Sequence, residues 1–252
     1  MNKLLILAFL FASGCIIGWC IEVLFRRFSP SNQSRHFINP GFLVGPYLPL
    51  YGFCLCVLYL LASIEKYISL GNPVLNKFVL FIIMAVSMTL LEYIAGLIFI
   101  KGMHVKLWDY SKMKGNIQGI ICPQFSLAWA FLGAIYYFFI HPYILGMLNW
   151  FSNNLAFSFF IGLFYGVFLI DVCYSFHIVS KIRAFARDNN ILVKYEELKE
   201  QIQRTALERK EKYKFLFALR SSVPLKEHLR ELSLKQKQAL KELSEKINSK
   251  KS

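Results

Sequence analysis

The sequence predicts an all-α polytopic membrane protein, with about five transmembrane helices and a cytoplasmic helical tail. Three observations predict it. Apolar residues make up 56% of the chain and charged residues only 17%, against roughly 25% charged in soluble domains. The charges are also unevenly placed: residues 1–178 hold 10 Lys/Arg and 5 Asp/Glu, whereas residues 179–252 hold 19 and 10. Finally, the first part contains repeated continuous apolar runs near the ~20 residues that a helix needs to cross ~30 Å of hydrocarbon.

The spans fall at about residues 4–25, 46–64, 75–100, 117–140 and 155–179. They lack the alternation of barrel strands, so helices are implied. The second is the least regular, because Pro46, Pro49 and Gly52 interrupt its first turns; a re-entrant segment beside four full spans is the alternative. The transmembrane domain is thus residues 1–178, followed by a basic tail, 179–252, broken near Pro224.

Loop charges give the orientation. Arg26, Arg27 and Arg35 lie in the loop at 26–45, and Lys101, Lys106, Lys112 and Lys114 in the loop at 101–116. The opposite side receives only Lys3, Lys66 and Lys77, and residues 141–154, read as a loop, carry no Lys or Arg. Five spans then place the N-terminus outside and the tail in the cytoplasm. Ala12-Ser13-Gly14-Cys15 resembles a lipoprotein cleavage site, but the apolar run continues to Phe25, which reads as an anchoring helix. The six cysteines all fall inside predicted spans, and Cys54-Leu-Cys56 has the wrong spacing for a redox or zinc element. No metal site or cofactor is expected.

Ionisable residues within spans are the most informative feature, because each costs about 2.5–3.5 kcal/mol at a helix centre. Glu22, Glu92 and Asp171 are the three. At 1.5 Å per residue they lie roughly 5, 12 and 12 Å from the predicted cytoplasmic ends of their helices. There the helix dipole disfavours negative charge, so cations or protons are needed. Arg26, four residues after Glu22, shares its face; Arg27 and Arg35 are further charge partners. Private interhelical hydrogen bonds would explain each acid separately. The alternative is one polar cavity open to the cytoplasm.

Both cytoplasmic loops are unusual. Residues 39–52, NPGFLVGPYLPLYG, hold three prolines and three glycines among apolar and aromatic neighbours. Such backbone survives at membrane depth only against protein or a wet cavity. Trp108-Asp109-Tyr110-Ser111, followed by Asn116, Gln118, Gly119 and Gln124, carries polar groups toward the fourth span. The candidate cavity is therefore lined by Glu22, Glu92, Trp108, Asp109, Tyr110, Ser111, Asn116 and Asp171.

Taken together, Gly18-Trp19-x-x-Glu22, the Asn39–Gly52 segment, Leu91-Glu92-Tyr93, and Trp108-Asp-Tyr-Ser111 followed by Asn116-x-x-Gly119 resemble the CmpB-type ABC-transporter permease family (type IV). The match covers about residues 14–133. The resemblance implies a multispanning bacterial membrane protein of permease type and assigns no catalytic residue. Pro40 stands where the family pattern has an arginine, so any acid that arginine balanced needs another cation here.

Pro224 divides the tail into helical stretches at about 192–220 and 225–247. Leu225, Leu229, Leu232, Gln236, Ala239, Leu240, Leu243 and Ile247 form one stripe of the second. The first mixes cations with Tyr195, Tyr213, Phe215 and Phe217, as a membrane-surface helix does. Anionic lipid accounts for this basicity, and no nucleic-acid motif is present. No G-x-x-x-x-G-K-[ST] element occurs, so ATP hydrolysis would need a separate ATP-binding subunit. Five spans are few for a whole pathway, which favours a homo-oligomer. The leading reading is a permease-like transport component. A sensor or scaffold acting through the tail, and a membrane enzyme on lipid-linked substrates, are the alternatives.

Overall fold

Proline opens three of the five membrane helices, where its missing N–H leaves no helical hydrogen bond unmade. The computed structural model describes residues 3–28, 35, 37–68, 71–209 and 216–249. Helix α1 spans Lys3–Phe28, α2 Pro49–Ser63, α3 Pro73–Leu97, α4 Pro123–Ile135, α5 His141–Asn153 and α6 Ser158–Asp188. Five continuous helical stretches are long and apolar enough to cross a membrane: Lys3–Phe28, Pro49–Tyr67, Pro73–Met103, Pro123–Asn153 and Leu155–Asp188. The chain is thus the polytopic all-α protein that its composition predicts.

Two boundaries differ from those expected. The fourth span begins at Pro123, not near 117, because residues 117–121 close a tight turn with positive φ at Gln118 and Gly119. It also runs on through residues 141–153, expected as a loop. A π turn over Tyr136–Ile140 joins α4 to α5 and accommodates Pro142 in the first turn of α5. Residues 141–154 contain no Lys, Arg, Asp or Glu, so nothing forces them out of an apolar environment.

Helices in lipid gain little from hydrophobic exclusion and associate through close packing, which favours small residues at contacts. α1 and α2 meet in this way. A Cβ on Gly14 would sit 3.0 Å from the Gly52 Cα, and one on Gly18 would overlap the Tyr51 ring. Leu10, Leu58, Leu80, Met84, Met88, Trp129, Ile144 and Leu148 fill the core between α1 and α5. Phe11, Cys15, Leu43, Tyr47 and Phe168 join α6 to α1 and to the 39–48 segment. Elsewhere α6 exposes Phe159, Leu163, Leu169 and Ile170, the face a span presents to lipid.

The tail does not hang free. α6 runs unbroken through residue 178 to Asp188. A two-residue strand β1 (Val105–Lys106) then pairs in parallel with β2 (Val193–Lys194), tying the loop after α3 to the tail. Helix α7 (Tyr195–Glu208) and helix α8 (Leu225–Ser249) follow. Val105, Val179, Ile182, Ala186, Val193, Leu198, Ile202, Leu229 and Leu232 form one buried cluster, flanked by Phe42 and Met103. The apolar face of α7 therefore packs on protein, which corrects the expectation of a lipid-surface helix: an amphipathic stripe shows that a face is covered, and here these valines and isoleucines cover it. Tyr213 and Phe215 lie outside the described residues. Of the α8 stripe, Leu229 and Leu232 are buried and Leu240 is exposed.

Candidate functional site

The family-like segments interlock around Glu22. Gly18 leaves room for the Tyr51 ring, whose hydroxyl donates to Glu22 Oε2 at 3.1 Å. Trp19 Nε1 donates to Asn39 Oδ1 at 2.8 Å, fastening α1 to the irregular segment. One turn after Glu22, Arg26 donates through Nε to Glu22 Oε1 at 2.8 Å. Its guanidinium also pairs with Glu196 at the start of α7. A membrane-helix carboxylate is thus tied to the tail through one arginine, whose fixed fork suits two carboxylates at once.

Glu92 lies at the same level on α3 and is 3% exposed. Tyr110 donates to its Oε1 at 3.1 Å. The Trp129 side chain interacts with the same carboxylate, yet Oε2 has no partner at hydrogen-bonding geometry among the described residues. Glu92 and Glu22 are close enough to interact electrostatically. Aromatic rings enclose the pair: Tyr51 lies 5.0 Å from Trp129, and Tyr110 stacks at 4.4 Å on Phe125.

The polar residues of the 104–122 loop build the platform that delivers Tyr110. Trp108 Nε1 donates to the Ile120 carbonyl at 2.8 Å. Asn116 donates to the Met113 carbonyl and accepts from Gly119 N at 2.9 Å, closing the turn. Asp109 accepts from Ser111 N at 3.0 Å and pairs with Lys106 at 2.7 Å and with Lys194 at 3.0 Å. Burial opposes the Asp109 charge, but Lys106, Ser111 and Lys194 outweigh it and hold the carboxyl well below the usual carboxylate range. Lys194 belongs to β2, so Asp109 is an ionic clasp between loop and tail.

Asp171 performs a different task on α6. Its carboxylate accepts from Val44 N (3.1 Å), Gly45 N (2.6 Å), the Tyr47 hydroxyl (2.7 Å) and the Ser175 hydroxyl (2.7 Å). Irregular backbone has no helical partners, and Asp171 supplies acceptors for two of its N–H groups. Lys199 of α7 secures the same segment from the other side, donating to the carbonyls of Asn39 (2.8 Å) and Gly41 (2.5 Å). Those carbonyls flank Pro40. Burial, with Arg26 nearby, lowers the Lys199 ammonium to a pKa of about 7.

The structure therefore brings Glu22, Glu92 and Tyr110 together and sets Asp109 and Asp171 among separate partners. Trp108, Ser111 and Asn116 support the Tyr110 platform. Of the charge partners read from sequence, Arg26 pairs as its spacing indicates; Arg27 lies over the Phe37 ring at 4.0 Å. Arg35 makes no ion pair with a described residue. Sequence reasoning missed Tyr51 and Trp129, which look like ordinary span aromatics, and Glu196 and Lys199, which are hidden in a charge-rich tail. Among the described residues, no group of three or more His, Cys, Asp and Glu is arranged for a metal ion.

Five apolar spans, irregular segments folded back against them and buried carboxylates define a polytopic membrane protein. A family model described as "Putative ABC-transporter type IV" matches residues 9–176, about two-thirds of the chain, and the chain belongs to that family. No curated protein and no solved structure matches it.

Proposed function

We propose that this chain is the permease-like membrane component of a transport system that works with a separate ATP-binding subunit. The observation that carries the reading is Glu92: a carboxylate buried within a span, with Oε1 held by Tyr110, Trp129 nearby, and Oε2 without a partner at hydrogen-bonding geometry among the described residues. An intramembrane acid without a full set of donors is suited to exchanging a proton or a cationic group. Glu22 lies beside it, and Arg26 carries any change in that charge to Glu196 of the tail. A transport component needs such a link, because a nucleotide-hydrolysing partner can act only from outside the bilayer. Residues 1–178 supply the spans, and residues 179–252 supply the surface such a partner would meet; a homo-oligomer would complete the pathway.

The orientation proposed is N-terminus outside and tail in the cytoplasm of a bacterial inner membrane. Two features support it: the tail packs with the loops after α1 and α3, and those segments carry most of the Lys and Arg. A Cys at position 66 should react with an impermeant thiol reagent applied outside, and a Cys at 112 only from inside. The reverse pattern would invert the assignment.

The functional reading is tested by extracting the native membrane in mild detergent and isolating this chain. An ATP-binding protein with a phosphate-binding loop should accompany it at fixed stoichiometry. Isolation of the intact chain without one, from an extract whose other ABC assemblies remain whole, would contradict the reading.

A further inference from the structure

We propose that the cleft between the 39–48 segment, α6, α7 and residues 216–225 binds a phosphate-bearing amphiphile, with the headgroup at Lys181, Lys199 and Arg220 and the chain against Phe42 and Ile178. This inference rests on the membrane placement of the helices and is independent of the transport reading. The cleft has a volume of about 350 Å³. Among the described residues, three cations line it and no Asp or Glu does. Two acids near the lining are already engaged: Asp171 by the loop donors and Glu196 by Arg26. The excess of positive charge therefore faces the cleft.

Lys199 is the built part of the site. It is only 5% exposed, and its two bonds to the Asn39 and Gly41 carbonyls leave one of its three N–H donors unassigned among the described residues. Burial and the nearby Arg26 lower its pKa, and apart from those carbonyls it faces the Tyr195 ring at 4.7 Å, with no salt-bridged counter-ion among the described residues. An anion in the cleft supplies one. The other wall is apolar, formed by Phe42, Ile178 and Leu216. The opening meets the outer face of α6, where Tyr174 and Phe176 are 45% and 37% exposed, so a chain leaving the cleft runs onto a lipid-facing surface. Basic pockets at this level between membrane helices suit anionic headgroups.

The test uses the full chain, delipidated in detergent, with native mass spectrometry against phosphatidylglycerol, phosphatidylcholine of identical acyl chains, and inorganic phosphate. Phosphatidylglycerol should be retained preferentially, and Lys181→Gln and Arg220→Gln should each weaken it roughly fivefold. Both side chains are exposed, so the variants should unfold at the wild-type temperature. Ile178→Trp, which fills the cleft without removing a charge, should also lower retention. Equal retention of the two lipids, indifference to all three substitutions, or inorganic phosphate binding as tightly as the lipid would each overturn the proposal.

Discussion

Asp171→Ala should destabilise the protein by about 3–5 kcal/mol, the range for removing one partner from a buried charged network. Four donors lose their acceptor at once: two backbone N–H groups, a tyrosine hydroxyl and a serine hydroxyl. Each buried donor left unpaired costs about 1–3 kcal/mol, and lipid offers no water to replace the carboxylate. The loss should appear first in residues 39–48, as increased amide exchange, and then in the thermal unfolding of the detergent-solubilised chain. Asp171→Asn should be milder but still damaging, since an amide keeps one acceptor oxygen and turns an NH2 toward groups that are themselves donors. Unchanged protection of residues 39–48 in Asp171→Ala would show that this segment is held by its apolar contacts alone.

The second large effect is expected at Arg26. Arg26→Gln leaves Glu22, among the described residues, with only the Tyr51 hydroxyl as a hydrogen-bond donor and removes the link to Glu196. The side chains concerned are only about a fifth to two-fifths exposed, so solvent screens them in part, and a cost of about 2–3 kcal/mol is expected, below that of a fully buried pair. Because α7 packs on loops from the membrane unit, the change should be local. Amide exchange in Tyr195–Glu208 should rise roughly 30-fold or more, while the middle of α3 stays protected. Glu196→Gln should do less, because Arg26 keeps Glu22. A double-mutant cycle across Arg26 and Glu196 that returns no coupling would mean that the tail is held by the Val105–Val193 and Leu198 packing without help from this ion pair.

Much of this arrangement is written in local sequence. Five spans follow from apolar length, and Glu22 with Arg26 follows from a four-residue spacing. The irregular character of residues 39–48 follows from their prolines and glycines. What sequence does not carry is pairing across large separations. Glu92 and Asp171 look alike in sequence, but α6 faces the N–H groups of Val44 and Gly45, whereas α3 faces Tyr110. Asp109 looks like a cavity acid and is instead claimed by Lys194, 85 positions further on. Lys199 is one cation among many in the tail, and only the fold places it beneath Asn39. Residues 141–153 carry no charge to force them out of the span, and a π turn before them accommodates Pro142.

The central claim is that the Glu92 site and the tail form one linked unit within a transport assembly, and it is tested most directly by ATP turnover in the complex isolated with the proposed ATP-binding subunit. Glu92→Gln retains the bond from Tyr110 and nearly the same volume while abolishing the charge. The account predicts that this variant assembles normally and unfolds within a few degrees of wild type, yet loses coupled turnover by at least about tenfold, the effect of ~1.4 kcal/mol on a rate-limiting step. Arg26→Gln should depress the same turnover with Glu92 intact. Wild-type turnover in a correctly assembled Glu92→Gln complex would contradict the account.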